Sequence, residues 1–355
     1  PAVIEASISR VPMIIISADR PGHFVGTGAN QTINQEKLYG IHARYFYDTG
    51  LPTEHLDALE QILQQAMNHT NGLDLQQPPG PVHLNFPFDE PLLPDNMQTI
   101  KIPQFSFQSS KSIEKHTANI PVLEKAAKPL IVVGIMEDNH HQKDIIHLAE
   151  KIQAPIMADP LSQIRYGYQH ELIMAHYGNF LKVVDIHPDL IIRFGRKPIS
   201  NVLCQLLEKW KQQTFLIDSW IRYNDDCPNF IQAPLDLFCQ KQINNIDWKG
   251  KTDWANLLLG FEQQVEKLII SEIEYSEATI AQVCHKSLQD GDQLIIGNSM
   301  PIRDVDLFTS LNDIQIVTYG NRGASGIDGI ISTALGISAA NNDRRYLLLI
   351  GDLSF

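Results

Sequence analysis

The residues best suited to chemistry stand directly after short apolar runs. The run Tyr346–Ile350 ends in Gly351-Asp352-Leu353-Ser354. A buried strand there delivers a carboxylate at its carboxyl edge, beside a glycine that lets another group approach closely. The arrangement suits an oxygen-ligated cation such as Mg²⁺ held beside a phosphate. It equally suits an aspartate that caps the next turn. A second run, Gln293–Gly297, leads through Asn298-Ser299 into a helix expected to hold Pro301 in its first turn. Free N–H groups there, with the Ser299 hydroxyl, can take an anion, and Arg303 one turn on faces the same way. The alternative is an N-cap serine followed by a surface charge.

A third run, Gln315–Thr318, opens the glycine-rich stretch Tyr319 to Gly329, followed by an apolar helix with Ile330, Ile331, Ala334, Leu335 and Ile337. Such a turn permits close approach of a ligand, and Arg322 and Asp328 within it are hard to read as solubility residues. The spacing is not the dinucleotide fingerprint G-x-G-x-x-G. A fourth cluster follows the run Pro12–Ser17: Asp19-Arg20-Pro21, then Gly26 to Gln31. It reads as a polar small-molecule site, or as a turn with a local ion pair. Arg193, Arg196, Lys197 and Asp218 form a weaker nucleotide-fold pattern for which a scaffold role is expected.

Elements that position these groups follow from periodicity. The runs above, with Val82–Phe86, Leu130–Val133, Leu190–Phe194 and Phe215–Asp218, read as buried strands alternating with helices, the signature of parallel sheets with crossover connections. Helices are expected over Ala2–Ser9, Glu54–His69 behind Thr53 as N-cap, and Trp254 to about Glu272, and one is expected to begin at Ser276. Pro94–Ser110 reads as a linker, and about Tyr223 to Gly250 as irregular. Three α/β units are expected over residues 1–100, 104–270 and 275–355. Both chain ends read as falling inside folded structure. A net charge of −13 disfavours nucleic acid as a partner. No apolar run approaches the length of a membrane span. Four cysteines without C-x-x-C spacing read as free thiols in a reducing cytosol.

Gly351-Asp352-Leu353-Ser354 resembles the opening of the thiamine-diphosphate motif. Asn321–Gly329 (NRGASGIDG), Ala29-Asn30-Gln31 and Gly80–Phe88 narrow the resemblance to the 2-succinyl-5-enolpyruvyl-6-hydroxy-3-cyclohexene-1-carboxylate synthases of the menaquinone pathway, nearly end to end. The resemblance implies three doubly wound parallel-sheet domains, the first and last incomplete in this chain. It implies a cytoplasmic transferase that decarboxylates 2-oxoglutarate and adds the four-carbon unit to isochorismate. The cofactors it implies are thiamine diphosphate with Mg²⁺ or Mn²⁺. The partners are small carboxylate substrates and further copies of the chain, in a homodimer or tetramer with shared sites.

By resemblance, Asp352 is a metal ligand, and Gly351, Leu353, Ser354, Ser325 and Gly326 surround the cofactor. Ile327 is then the apolar wedge that bends it. Arg303 and Arg322 become carboxylate clamps with Ser299 beside them, and Arg20, Asn30 and Gln31 substrate contacts across a dimer interface. The family's activating glutamate is expected before Pro1 and a second metal ligand beyond Phe355, so these 355 residues alone are expected to be inactive. Asn201 stands where the family often has lysine after Pro198-Ile199-Ser200, so that substrate contact is either lost or supplied by Lys197. Two rival readings stay open: an acetolactate-synthase-like ligase, against which the paired arginines speak, and a non-catalytic binding module.

Overall fold

A computed structural model describes residues 1–52, 56–73, 77–90, 92, 120, 123–221, 224–245, 252–271 and 274–355. The expected cap Thr53 and the expected linker Pro94–Ser110 lie outside them. The chain divides into two compact units, Pro1–Glu114 with Arg322–Ala324, and Lys115–Asn321 with Ser325–Phe355.

The first unit contains α1 (Ala2–Ile8), β1 (Met13–Asp19), β2 (Phe46–Asp48), α2 (Leu56–Thr70) and β3 (Pro81–Pro87). Its strands form a parallel sheet in the order β1-β3-β2. Ile62 and Ala66, one helical turn apart on α2, pack on Val82 and Leu84 of β3. The strand β1 departs from expectation. Register pairs Ile14 and Ile16 with Val82 and Leu84, yet Ile16 is 68% exposed. The physical reason is position: α2 packs over the central strand and leaves the apolar side chains of this edge strand open.

The second unit begins with β4 (Pro129–Val133), α3 (Gln142–Ile152), β5 (Ile156–Ala158), β6 (Ile173–Met174), α4 (Tyr177–Phe180) and β7 (Leu190–Phe194). It continues with α5 (Asn201–Lys209), β8 (Thr214–Asp218), β9 (Asn229–Gln232), α6 (Leu235–Asn245) and α7 (Thr252–Ser271). These strands form a parallel six-stranded sheet, β6-β5-β4-β7-β8-β9. Counted from β4, that is the doubly wound order 3-2-1-4-5-6. Alternation divides each strand between two cores. Ile131, Val133, Ile192 and Phe194 meet α3 and α6 on one face. Leu130, Val132 and Ile191 meet α5 and α7 on the other, where Trp254 donates Nε1–H to the Pro129 carbonyl at 2.8 Å.

The stretch after Tyr223, expected to be irregular, contains β9 and α6. Pro228 precedes an edge strand, and the Pro234 carbonyl accepts from Phe238 N at 2.9 Å to start the helix. Both prolines occupy places where a backbone N–H is not needed. At the switch point between β4 and β7 the crevice is bridged by backbone: Gly134 N donates to Phe194 O and Arg196 N to Ile135 O, each at 2.9 Å. A side chain on Gly134 would collide with the Arg196 carbonyl.

The unit ends with α8 (Glu277–Lys286), β10 (Gln293–Ile296), α9 (Met300–Phe308), β11 (Val317–Tyr319), α10 (Ile330–Ala340) and β12 (Tyr346–Leu349). A capping box at Ser276 starts α8, as expected. The three strands form a parallel sheet in the order β11-β10-β12. Leu294 and Ile296 of β10 share a core with Ile302 and Val305 of α9. All four cysteines are free. Among the described residues no helix is long and apolar enough to cross a membrane.

Glu262 of α7 ties the start of α4 in place, its carboxylate accepting from Ala175 N at 2.7 Å and His176 N at 2.8 Å. Burial, opposed by those amides, pushes its pKa up to about 7. The folded protein therefore holds this proton more tightly than the unfolded chain. The stability it contributes is fully present below the unfolded carboxyl value and is lost as pH rises through about 7. His176, held down to about 4 by burial, has the opposite sign, losing stability as pH falls below the ordinary histidine value. Glu262→Gln keeps an acceptor oxygen and removes one titration only. Between pH 5 and pH 8 the wild type is expected to lose on the order of 2 kcal/mol more than this variant. Denaturant unfolding at both pH values checks this; parallel profiles would contradict it.

Candidate active site

Parallel strands bring their carboxyl ends to one edge, so the loops leaving β11, β10 and β12 gather there. The central strand β10 must leave most sharply, because β12 lies tight against its end. Gly297 N donates to Leu349 O at 2.7 Å, and a Cβ on Gly297 would lie 3.1 Å from that carbonyl and 3.3 Å from Ile350 Cα. Glycine answers that close approach. The chain then turns through Asn298 and Ser299 into α9, and Ile302 N reaches back to Gly297 O at 3.1 Å.

Ser299 absorbs the turn with φ 71° and ψ −122°, a left-handed conformation rare for a residue with a side chain. The residue is exposed and stands at the N-cap position, yet its hydroxyl makes no capping bond. The hydroxyl is thus presented at the sheet edge. Arg303, one turn into α9 and exposed, donates Nε–H to the Ser299 carbonyl at 2.9 Å. That bond joins the arginine to the strained turn at the end of the strand. Buried Asp304 forms no ion pair with Arg303; burial first, then Glu277, pushes it up to about 6 against the pull of Arg303.

The loop after β11 is pinned by a residue not singled out in the sequence. Asn298, 2% exposed, donates Nδ2–H to the carbonyls of Asn321 at 2.8 Å and Gly326 at 2.6 Å. Between these anchors Ser325 has φ 56°, and nothing lies within 4 Å of the place a Cβ on Gly326 would take. Ile327 is 39% exposed although wholly apolar. Arg322–Ala324 group with the first unit, where the Glu5 carboxylate accepts from Gly323 N at 2.7 Å and Ala324 N at 2.8 Å. Any side chain at Gly323 would meet that carboxylate at 2.9 Å. Arg322 itself is half-buried.

After β12, Asp352 starts a short turn in which Ser354 N donates to Gly351 O at 3.0 Å. Asp352 and Leu353 are exposed and Ser354 half-buried. Beyond the Gly351 backbone, the nearest group facing the place of a Cβ is the Pro301 ring at 3.9 Å, which leaves room for a ligand. A carboxylate in this position suits a hard cation, but no group of three or more His, Cys, Asp or Glu side chains gathers among the described residues. Asp352 is therefore the single exposed carboxylate that this turn offers.

In the first unit Arg20, Asn30 and Gln31 are exposed and share no hydrogen bond with one another. Gly26, Gly28 and Gln31 all adopt positive φ, and Gln35 pins the loop by donating to Ala18 O at 2.9 Å. Asp19 forms no ion pair with Arg20; its carboxylate accepts from Arg20's own amide at 2.8 Å and from Asn85 Nδ2 at 2.9 Å. Asn85 also donates to Asp48 at 2.8 Å and accepts from Ser17 at 2.7 Å, so every group of this buried amide is used. It fixes the backbone that ends at Arg20, a role invisible in its sequence position.

The basic residues of the six-stranded sheet are engaged with acids. Arg193 pairs with Asp225, Lys197 with Asp226 at 2.9 Å, and Arg196 with Glu137 at 3.7 Å. The first two pairs line a cavity of about 190 Å³ that also holds Cys204 and Cys227. Asn201 opens α5 and is exposed.

Residues 101–296 match the family described as the middle domain of thiamine pyrophosphate enzymes. The whole chain aligns with proteins named 2-succinyl-5-enolpyruvyl-6-hydroxy-3-cyclohexene-1-carboxylate synthase. That of Bacillus pumilus is 34% identical over 380 residues and that of Listeria innocua 34% over 385. The Enterococcus faecalis protein is 33% identical over 373 residues. All of this chain is covered each time, and it spans 64% of the length of the first two relatives and 63% of the third. The chain belongs to the thiamine pyrophosphate enzyme family defined by that middle domain.

Proposed function

We propose that the protein containing this chain is a thiamine-diphosphate-dependent synthase that decarboxylates 2-oxoglutarate and adds the four-carbon unit to isochorismate. The observation that carries this reading is the Ser299–Arg303 constellation: a hydroxyl and a guanidinium held together at the end of a central strand, in a protein of net charge −13. An acidic protein that takes up dianionic acids must concentrate positive charge locally. Its whole-length likeness to proteins named for that product supports the same substrates.

Thiamine diphosphate, when bound, would supply a cationic thiazolium ring into which the electron pair left by departing carbon dioxide is delocalised. The chain's own residues hold and orient. Asp352 offers a carboxylate to the Mg²⁺ or Mn²⁺ that accompanies the diphosphate, with Gly351, Leu353 and Ser354 around it. Ser325 and Gly326 leave open space for the cofactor, and Ile327 gives it an apolar support. Arg303 takes a substrate carboxylate with the Ser299 hydroxyl as second donor, and Arg322 takes another. Arg20, Asn30 and Gln31 serve as substrate contacts across a dimer interface, in a homodimer or tetramer. The six-stranded middle part acts as scaffold: its switch-point crevice is bridged by backbone, which speaks against the flavin-holding, acetolactate-synthase-like alternative.

In the full-length protein Arg303→Ala is expected to lower kcat/KM for a carboxylate substrate by roughly 10- to 150-fold, the equivalent of about 1.5–3 kcal/mol for a charged hydrogen bond. Arg303→Lys should recover only part. Affinity for thiamine diphosphate should stay nearly unchanged. Steady-state kinetics with each substrate varied, plus calorimetric titration of the cofactor, checks this. An equal fall in cofactor affinity would contradict the clamp.

Ser299→Gly relieves the left-handed strain, so it is expected to raise unfolding stability by about 1 kcal/mol while lowering turnover. Ser299→Ala keeps the strain and should lower turnover without that gain. Thermal melts beside kinetics decide the matter; a glycine variant less stable than wild type would contradict it.

A further inference from the structure

The segment from Asp159 to Tyr166, which follows β5, is buried although it forms no helix or strand of its own. Its start is braced by the Asp159 carboxylate, which accepts from Leu161 N at 2.8 Å and from Ile199 N at 2.6 Å. Two of its polar side chains then reach out of the segment, Gln163 to the strand β11 and Arg165 to the helix α9.

Gln163, 8% exposed, adopts φ 60°, a conformation a glutamine holds only when its surroundings over-determine it. They do so through its amide. Nε2 donates to Thr318 O at 2.8 Å and to Thr318 Oγ1 at 3.1 Å, and Oε1 accepts from Thr318 N at 3.2 Å. The side chain meets both backbone groups of Thr318, as a neighbouring strand would, on the edge strand β11. The Thr318 hydroxyl completes the joint by donating to Pro160 O at 3.0 Å.

Arg165 has no exposed surface at all. A guanidinium is costly to bury unless its donors are met, and here the acceptors are the last carbonyls of α9. Nη1 donates to Val305 O at 3.1 Å and Nη2 to Asp306 O at 2.8 Å, with a further bond to Ala175 O. The Asp306 carboxylate stands 3.9 Å away. Asn179 adds a bond to Leu307 O at 2.7 Å. A cation at a helix carboxyl end also meets the negative pole of the helix dipole. The far end of the helix that begins at Ser299 and Arg303 is thus gripped by side chains of the six-stranded part.

We propose that Gln163 and Arg165 form a positioning clamp: the first fixes β11, which leads into the glycine-rich loop, and the second fixes α9, which carries Ser299 and Arg303. This rests on the function proposed above for its kinetic consequence, and stands on the structure alone for its effect on mobility. The two residues touch no reacting group and act through the elements they hold.

The test uses the full-length protein with Arg165→Met, Arg165→Lys and Thr318→Val, read by amide hydrogen exchange and by kinetics. Arg165→Met is expected to speed exchange over residues 300–309 by at least about tenfold while the central strands β4 and β7 stay protected. KM for the 2-oxo acid should rise about fivefold or more, because Arg303 is no longer held in place, and Arg165→Lys should restore part of it. Exchange in α9 within about twofold of wild type, or a loss confined to the fraction of folded molecules with KM unchanged, overturns the clamp. If Arg165→Met does not fold, Thr318→Val decides. It keeps the volume and drops the hydroxyl, and faster exchange at residues 318–319 supports the clamp while unchanged exchange overturns it. A wild-type protein that turns over neither acid overturns the proposed function instead, and the exchange arms then judge the clamp by themselves.

Discussion

The turn from β10 into α9 is the constraint on which the candidate site depends. A central parallel strand has neighbours on both sides, and here β12 stays hydrogen-bonded to the first residue beyond it, Gly297. The chain has only Asn298 and Ser299 in which to reverse into a helix. Ser299 takes the strain, and in doing so projects its hydroxyl instead of using it as a cap. Asn298 turns the other way and ties down the neighbouring loop through two carbonyls. One tight turn therefore sets a hydroxyl, an arginine and the loop of Ser325 and Gly326 in fixed relation.

Strain of this kind persists only where the surroundings hold both ends. Gly297 is fixed by its bond to β12, and the carboxyl end of α9 is fixed by buried Arg165 and Asn179. The six-stranded part supplies that second grip, and at its own switch point backbone bonds join Gly134 to Phe194 and Arg196 to Ile135. The basic side chains Arg193, Arg196 and Lys197 beside it are drawn into ion pairs, whereas Arg303 stays exposed with a single local bond to the Ser299 carbonyl. That contrast separates Arg303 from the three basic residues of the six-stranded part, whose charges are met by acids.

Much of this was legible in the sequence, and the failures have physical causes. Apolar runs located eight strands, because strands buried by helices on both faces need such runs. The short strands β2, β5, β6 and β9 escaped, the last because Pro228 and Pro234 read as breakers when they stand at permitted ends. The edge exposure of Ile16 depends on where α2 lies, which no local pattern contains. Ser299 and Arg303 were legible as residues at a strand end, but the left-handed backbone of Ser299 was not, since glycine is the usual signal for it. Gln163, Arg165, Asn298 and Asn85 were missed because their partners lie far along the chain, as Val305 does from Arg165.

The proposed role of the sheet edge around Ser299 and Arg303 is thiamine-diphosphate chemistry on 2-oxo acids. The most direct measurement is carbon dioxide release from 2-oxoglutarate labelled at its first carbon, by the full-length protein, with and without thiamine diphosphate, Mg²⁺ and isochorismate. Release is expected to require the cofactor, with the remaining four carbons captured in a larger product only when isochorismate is present. Release that is indifferent to the cofactor, or none under any of these conditions, would contradict it.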